Sequence, residues 1–320
     1  MRTFRRIGRR LLEIVLTLLG VAILVFLTLR VVPGNQITAS MGTEAGNLTP
    51  GQMAALRAYY GIDQPIEGQF LGWIGSLLQG NLGIDQDTKQ SVLDMTLSSL
   101  PVTLELAILA TILGLAIGIP LALISASRPN GARDAAAQTV GLAALAIPSF
   151  LLGSLLLAYV SRIFHYNPNA LGFVRLQEDP ALNLQQMLFP ALVLGFGLAA
   201  PIMRTARTSL LEVQSQDFVR TAHGKGVSPG RIRVRHVLRA ALIPIVTMTG
   251  IQFGYLLGGA VVVEQIFSLP GMGRQVLLGL QQKEYAVVQS TVLIIALLFL
   301  LVNLFTDQVY RLVDPRVRST

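Results

Sequence analysis

Six stretches of this sequence are apolar for long enough to cross a lipid bilayer, and little else constrains the chain as tightly. A span takes about 20 predominantly apolar residues at roughly 1.5 Å of rise each. Residues 11–32, 102–126, 135–160, 187–203, 240–263 and 288–313 qualify, the fourth being the shortest. Runs of this length satisfy their backbone groups internally only as helices. An all-α integral membrane protein with six transmembrane helices is therefore expected. Charged residues make up 13% of the chain, against about 25% in a typical soluble domain, so there is too little polar surface to face water. The absence of cysteine excludes disulfides, thiolate-ligated metals and thiol catalysis.

The net charge of +8 suggests a nucleic-acid partner only until the basic residues are placed. With the N-terminus inside, most of them fall in inner segments: five arginines before span one, Arg128 and Arg133, the dense group from Arg204 to Arg239, and Arg311, Arg316 and Arg318. That bias is the positive-inside pattern. It places both termini in the cytoplasm and accounts for the charge without nucleic acid. The basic N-terminal run ahead of an apolar one resembles a signal peptide. Its apolar part is longer than the usual 7–15 residues and no small-residue cleavage site follows, so it reads as an uncleaved anchor.

The outer segment 33–98 carries helix punctuation. Thr49-Pro50-Gly51-Gln52 reads as a capping box with proline at the first helical position, and Gly61 would end that helix. Pro65 opens the next, on which Ile66, Phe70, Trp73, Ile74 and Leu77 form an apolar stripe that stops at Gly80. The stripe either packs on the outer ends of the spans or serves as a gate or docking ledge. Prolines 120, 148, 190, 201 and 244 lie within or at the ends of spans and predict kinks. Gly254 and Gly258 would let another helix approach span five.

Several chemistries are missing. No G-x-x-x-x-G-K-[ST] loop is present, so ATP has no visible site on this chain, and no metal or nucleophile constellation stands out around His165, His223 or His236. The charges within spans are Glu13, Arg30, Glu105, Glu264 and Asp307, all within a turn or two of a span end. None sits where an ion relay would be expected, which argues against an ion-driven secondary transporter, the alternative reading.

The inner segment 204–239 holds the strongest pattern. Asp217 can start a short helix containing Phe218, Val219 and Ala222, Gly226 can stop it, and Ser228-Pro229 can open a second helix. The result is either a solvated basic loop or a docking element.

Here the sequence resembles a known family. Arg220-Thr221-Ala222, three residues and Gly226 resemble the coupling-loop signature of ATP-binding-cassette (ABC) importer permeases, with Arg and Thr where Glu and Ala are general. Ile243-Pro244 supplies the proline five residues late. These departures resemble the dipeptide, oligopeptide and nickel branch. So do Leu29-Arg30-Val31-Val32-Pro33-Gly34, Tyr60-Gly61-Ile62-Asp63-Gln64-Pro65, Gln69-Phe70, Gly80-Asn81-Leu82-Gly83, the run from Val263 to Gly273, and Asp314-Pro315-Arg316. Asn35 and Asn81 stand where that branch more often has Asp. The short N-terminal tail and long first outer segment favour the first permease subunit of the branch.

The resemblance implies the type I importer permease (MetI-like) fold and half of a translocation pathway for di- or oligopeptides in a bacterial or archaeal inner membrane. It implies a second permease subunit, two cytoplasmic ATPase subunits or domains, an extracytoplasmic solute-binding protein and membrane lipid as partners. No cofactor would bind this chain, ATP being used by the partners, and the chain would not be an enzyme. Residues 1–32 would hold the inner tail and first span, 33–98 the outer segment, 99–313 a five-helix core with coupling loop 204–239, and 314–320 an inner tail. Asp217, Phe218, Val219, Arg220, Thr221, Ala222, Lys225 and Gly226 would contact the ATPase, with Phe218, Val219 and Ala222 as the apolar part. Glu264, Phe267, Pro270, Gly271 and Gly273 would form either an outer gate or a plain connecting loop.

Overall fold

The computed structural model describes residues 2–31, 37, 46–59, 62–86, 88–164 and 172–313. Gly61, Pro33-Gly34, Asn35, His165 and 314–316 lie outside them. The chain divides into two units, Met1–Pro101 with Pro270–Leu298, and Val102–Leu269 with Phe299–Thr320. Helix follows helix: α1 Arg2–Val31, α2 Pro50–Tyr59, α3 Ile66–Leu78, α4 Val92–Ser127, α5 Ala132–Ala146, α6 Ser149–Phe164, α7 Pro180–Gln214, α8 Asp217–Gly224, α9 Pro229–Arg231, a π-helical turn Ile232–Val237, α10 Leu238–Gly259, α11 Val261–Ile266, α12 Met272–Gln281 and α13 Tyr285–Val313. Among the described residues five helical segments are long and apolar enough to cross a membrane, beginning within α1, α4, α7, α9 and α13.

The expected third span is the exception. Helices α5 and α6 meet at a 95° bend, so 135–160 is two short helices and not one straight rod. Pro148 lies in the break; it has no N–H to give and disfavours helical geometry in the residue before it. Ile147 is accordingly extended, at ψ 117°.

In the first unit, α1 exposes Leu12, Leu16, Leu19 and Leu27 and buries Phe26. Phe70 meets the Phe26 ring edge-on at 5.0 Å and Trp73 stacks on it at 6.0 Å. The Arg30 guanidinium lies over the same ring and donates from Nε and Nη2 to Gln69 Oε1 at 3.1 and 2.9 Å. The α3 stripe thus packs against a span, the first of its two readings. The capping box forms: Thr49 N donates to Gln52 Oε1 at 2.9 Å and Gln52 N to Thr49 Oγ1 at 3.4 Å. Helix α3 ends at Gln79, with Gly80 left-handed at φ 79°. Further on, Ser290 Oγ donates to Leu82 O, and Gln86 N to Glu284 Oε2, holding the segment after α3 against the start of α13.

In the second unit α7 is central. It packs on α5, α6, α10 and α11 and runs unbroken through Pro190 and Pro201. Although the sequence marks this as the shortest span, two thirds of its apolar window is buried, against 17% for α1. Small residues bring α4 close: a Cβ at Gly118 would lie 2.8 Å from Ala199 O, and one at Gly195 2.9 Å from Ala110 O. Helix α10 packs on α13 through Gly250, on Thr306, and Gly254, on Phe299, while Gly258 faces open space. A Cβ at Gly254 would lie 2.9 Å from the Phe299 ring, so Gly254→Leu is expected to destabilise the purified protein by about 1–3 kcal/mol. Gly258→Leu is the control, and equal thermal melting of the two variants would refute this packing.

Candidate coupling element and outer segment

Helix α8 is built as the spacing of its residues predicts. Gln216 is the N-cap and Asp217 the first helical residue, where its charge suits the helix dipole. The C-terminus is a complete Schellman motif. Gly226 N donates to His223 O at 2.9 Å and Val227 N to Ala222 O at 3.2 Å, with Gly226 left-handed at φ 74°. Val227 and Ala222, the hydrophobic pair that accompanies this motif, are both partly buried against the core.

Val219 belongs to the core of its unit. It is only 3% exposed, in a cluster with Met203, Leu210 and Val213 of α7, Ala122 and Ala126 of α4, and Ile232 and Val237. Its side chain fastens α8 to its own unit, and a helix of eight residues has little stability without such packing. Ala222 is half-buried. What α8 presents outward is Phe218, 43% exposed, with Asp217, Arg220, Thr221 and Lys225. Asp217 and Arg220 lie 3.7 Å apart and are solvated.

Beyond α8, Ser228 stands at the N-cap position and Pro229 at the first helical position, as the sequence predicts, though the Ser228 side chain makes no capping bond. The π turn that follows gave no signal in the sequence. It buries Ile232 and Val237 and leaves Val234, Arg235 and His236 exposed.

An ion pair whose carboxylate is buried supports this end of the unit. Arg207 on α7 donates from Nε to Asp134 Oδ1 at 2.9 Å and from Nη2 to Asp134 Oδ2 at 2.7 Å, a bidentate pair. Ser125 Oγ and Gln138 Nε2 donate to Oδ1, and Asn130 N to Oδ2. The network joins α4, α5 and α7. Sequence reasoning missed it: Arg207 reads as one more inner arginine, and Asp134 lies 73 positions away.

The residues 264–273 fall in both units. Glu264 is fully buried and accepts from Thr103 Oγ1 at 2.8 Å, and Phe267 is buried beside Gly153 of α6. Helix α11 ends in a second Schellman-type turn, Leu269 N donating to Glu264 O, with Ser268 left-handed at φ 53°. Gly271 and Gly273 are buried and Pro270 is exposed. Glu264 and Phe267 are thus occupied within their own unit.

The helical frame is that of an ABC importer permease. Over 69% of this chain and 97% of the other, it matches a chain of the inward-facing MetNI methionine ABC transporter, with a TM-score of 0.54 at 18% identity. The family model described as binding-protein-dependent transport system inner membrane component matches residues 118–319, and the model of its N-terminal region matches 3–107. The chain therefore belongs to the family of binding-protein-dependent transport system inner membrane components. Similar proteins are the glutathione transport system permease protein GsiC of Escherichia coli O6:H1, 34% identical over 97% of both chains, and the di/tripeptide transport system permease protein DppB of Pseudomonas aeruginosa, 35% identical over 98% of both. A putative peptide permease of Brucella ovis is 36% identical over 95% of both. The chain is thus a multi-pass inner-membrane transport subunit and not an enzyme; ATP is hydrolysed by a separate subunit of the transporter.

Proposed function

We propose that this permease forms half of the pathway of a peptide importer, taking di- or oligopeptides from an extracytoplasmic solute-binding protein and pairing with a second, homologous permease over two cytoplasmic ATPase subunits or domains. The observation that carries the reading is α8: a short capped helix, anchored by Val219, that offers Phe218, Arg220 and Lys225 outward between two long spans. The names of the similar permeases support a peptide-like solute.

In this reading both termini and 204–239 are cytoplasmic, 33–98 is extracytoplasmic and 99–313 is the permease core. The ATPase contacts Phe218 and Ala222 together with Asp217, Arg220, Thr221 and Lys225, Gly226 sets the turn, and Val219 transmits the displacement of α8 into the α4–α7 core. ATP-driven closure of the ATPases pushes α8, and the spans rock to expose alternate faces. The run Glu264, Phe267, Pro270, Gly271 and Gly273 forms an outer gate.

Mild-detergent purification of the tagged chain, with mass spectrometry of what accompanies it, tests the assembly. Stoichiometric ATPase and a second permease are expected, with uptake of labelled dipeptide that stops on ATP depletion and survives collapse of the ion gradient. A solitary chain that transports would overturn the reading.

A further inference from the structure

Two buried acceptor atoms on touching side chains lack a donor. Glu105 lies on α4 and Asn183 in the first turns of α7, both within the second unit. Asn183 is wholly buried. Its Nδ2 donates to Val174 O at 3.0 Å and lies 3.4 Å from Glu105 Oε2. Both neighbours of Nδ2 are acceptors, and that fixes the amide: rotating it would turn Oδ1 onto a carbonyl and a carboxyl oxygen. Asn183 Oδ1 and Glu105 Oε1 are shielded from solvent and have no hydrogen-bond partner among the described residues. Glu264 in the same unit differs, since Thr103 Oγ1 donates to it.

Buried polar atoms in folded proteins are satisfied as a rule, so the pair is short of something. One hydrogen between them would supply both atoms. With a proton on Glu105 Oε1, the O–H donates to Asn183 Oδ1 while Asn183 Nδ2 donates back to Oε2, the two-bond ring that a carboxylic acid and a carboxamide form together. We infer that Glu105 is a proton-binding site: its carboxyl is neutral in the folded permease and its proton, taken from water, is donated to Asn183.

The proton ties more than two side chains. Three residues along α7, Gln186 accepts from Val174 N through Oε1 and donates from Nε2 to Gly172 O. Asn183 and Gln186 thus hold 172–174 against α7, and the protonated Glu105 adds α4 to the same latch. In the ionised form both oxygens of Glu105 are acceptors only, and neither can supply the hydrogen that Asn183 Oδ1 lacks.

Infrared spectroscopy of the purified transporter at neutral pH, in H2O and D2O, tests this. A protonated-carboxyl C=O band is expected in the wild type that shifts in D2O, disappears in Glu105→Gln and moves in Asn183→Leu. The neutral isostere Glu105→Gln keeps both hydrogen bonds as an amide pair, so its melting temperature should stay close to wild type, while Glu105→Ala melts lower. A wild type without the band, a band that survives Glu105→Gln, or a Gln variant that fails to fold or melts as low as the Ala variant would each overturn the inference. The last outcome would mark Glu105 as an anion awaiting a cation.

Discussion

Gly226→Val is expected to lower peptide uptake by roughly tenfold while the permease folds and accumulates normally. At φ 74° a residue with a β-carbon is strained by about 1–2 kcal/mol, and a β-branched one by more. About 1.4 kcal/mol corresponds to a tenfold shift between conformers. A Cβ at this position would meet nothing within 4 Å, so the damage comes from the backbone and stays local to the turn after α8. The Schellman bonds to His223 O and Ala222 O depend on that turn. Gly226→Asn, which tolerates the left-handed region, should retain most of the uptake. Uptake and ATPase co-purification, normalised to permease in the membrane, provide the measurement. Wild-type values in the valine variant would remove α8 from the coupling role.

The largest effect on folding is expected at the Asp134–Arg207 ion pair. Arg207→Met leaves the Asp134 carboxylate, 1% exposed, with donors from Ser125, Asn130 and Gln138 but no cation. Breaking such a pair from one side is far more damaging than removing it whole, because the remaining charge stays buried. We expect detergent-stable protein to fall by about tenfold or more in Arg207→Met, and similarly in Asp134→Leu. The double variant Asp134→Leu with Arg207→Met should recover part of that loss. Arg207→Lys should fall between, since an ammonium cannot reproduce the bidentate contact. If Arg207→Met melts like wild type, the pair does not hold α4, α5 and α7 together.

Local signals proved readable and distant ones did not. Thr49 with Gln52, Gly80, Gly226 and Pro229 each announce a helix end through the chemistry of one or two neighbouring residues, and each lies at one. Span lengths are less secure. Hydropathy shortens α7 because Asn183, Gln186 and Ser209 are polar, yet all three are buried in the helix on which much of the unit packs. Pro148 announces a break, but its 95° angle follows from what α5 and α6 pack against. In the candidate site, Phe218, Arg220 and Lys225 could be read as a presented face. The inward turn of Val219 could not, because a helix of eight residues shows barely two turns of pattern. The Asp134–Arg207 and Glu105–Asn183 contacts join positions 73 and 78 apart and leave no mark in the sequence.

The Schellman turn and the Val219 anchor bear on how tightly anything can hold α8. A free peptide of this length is almost entirely unfolded in water, and a partner that bound it so would bear the full entropy of ordering it. Here that ordering is completed when the permease folds, before any partner arrives. A protein that docked on Phe218 and Arg220 would therefore meet a preformed helix, and the contact area it would need for a given affinity would be correspondingly small.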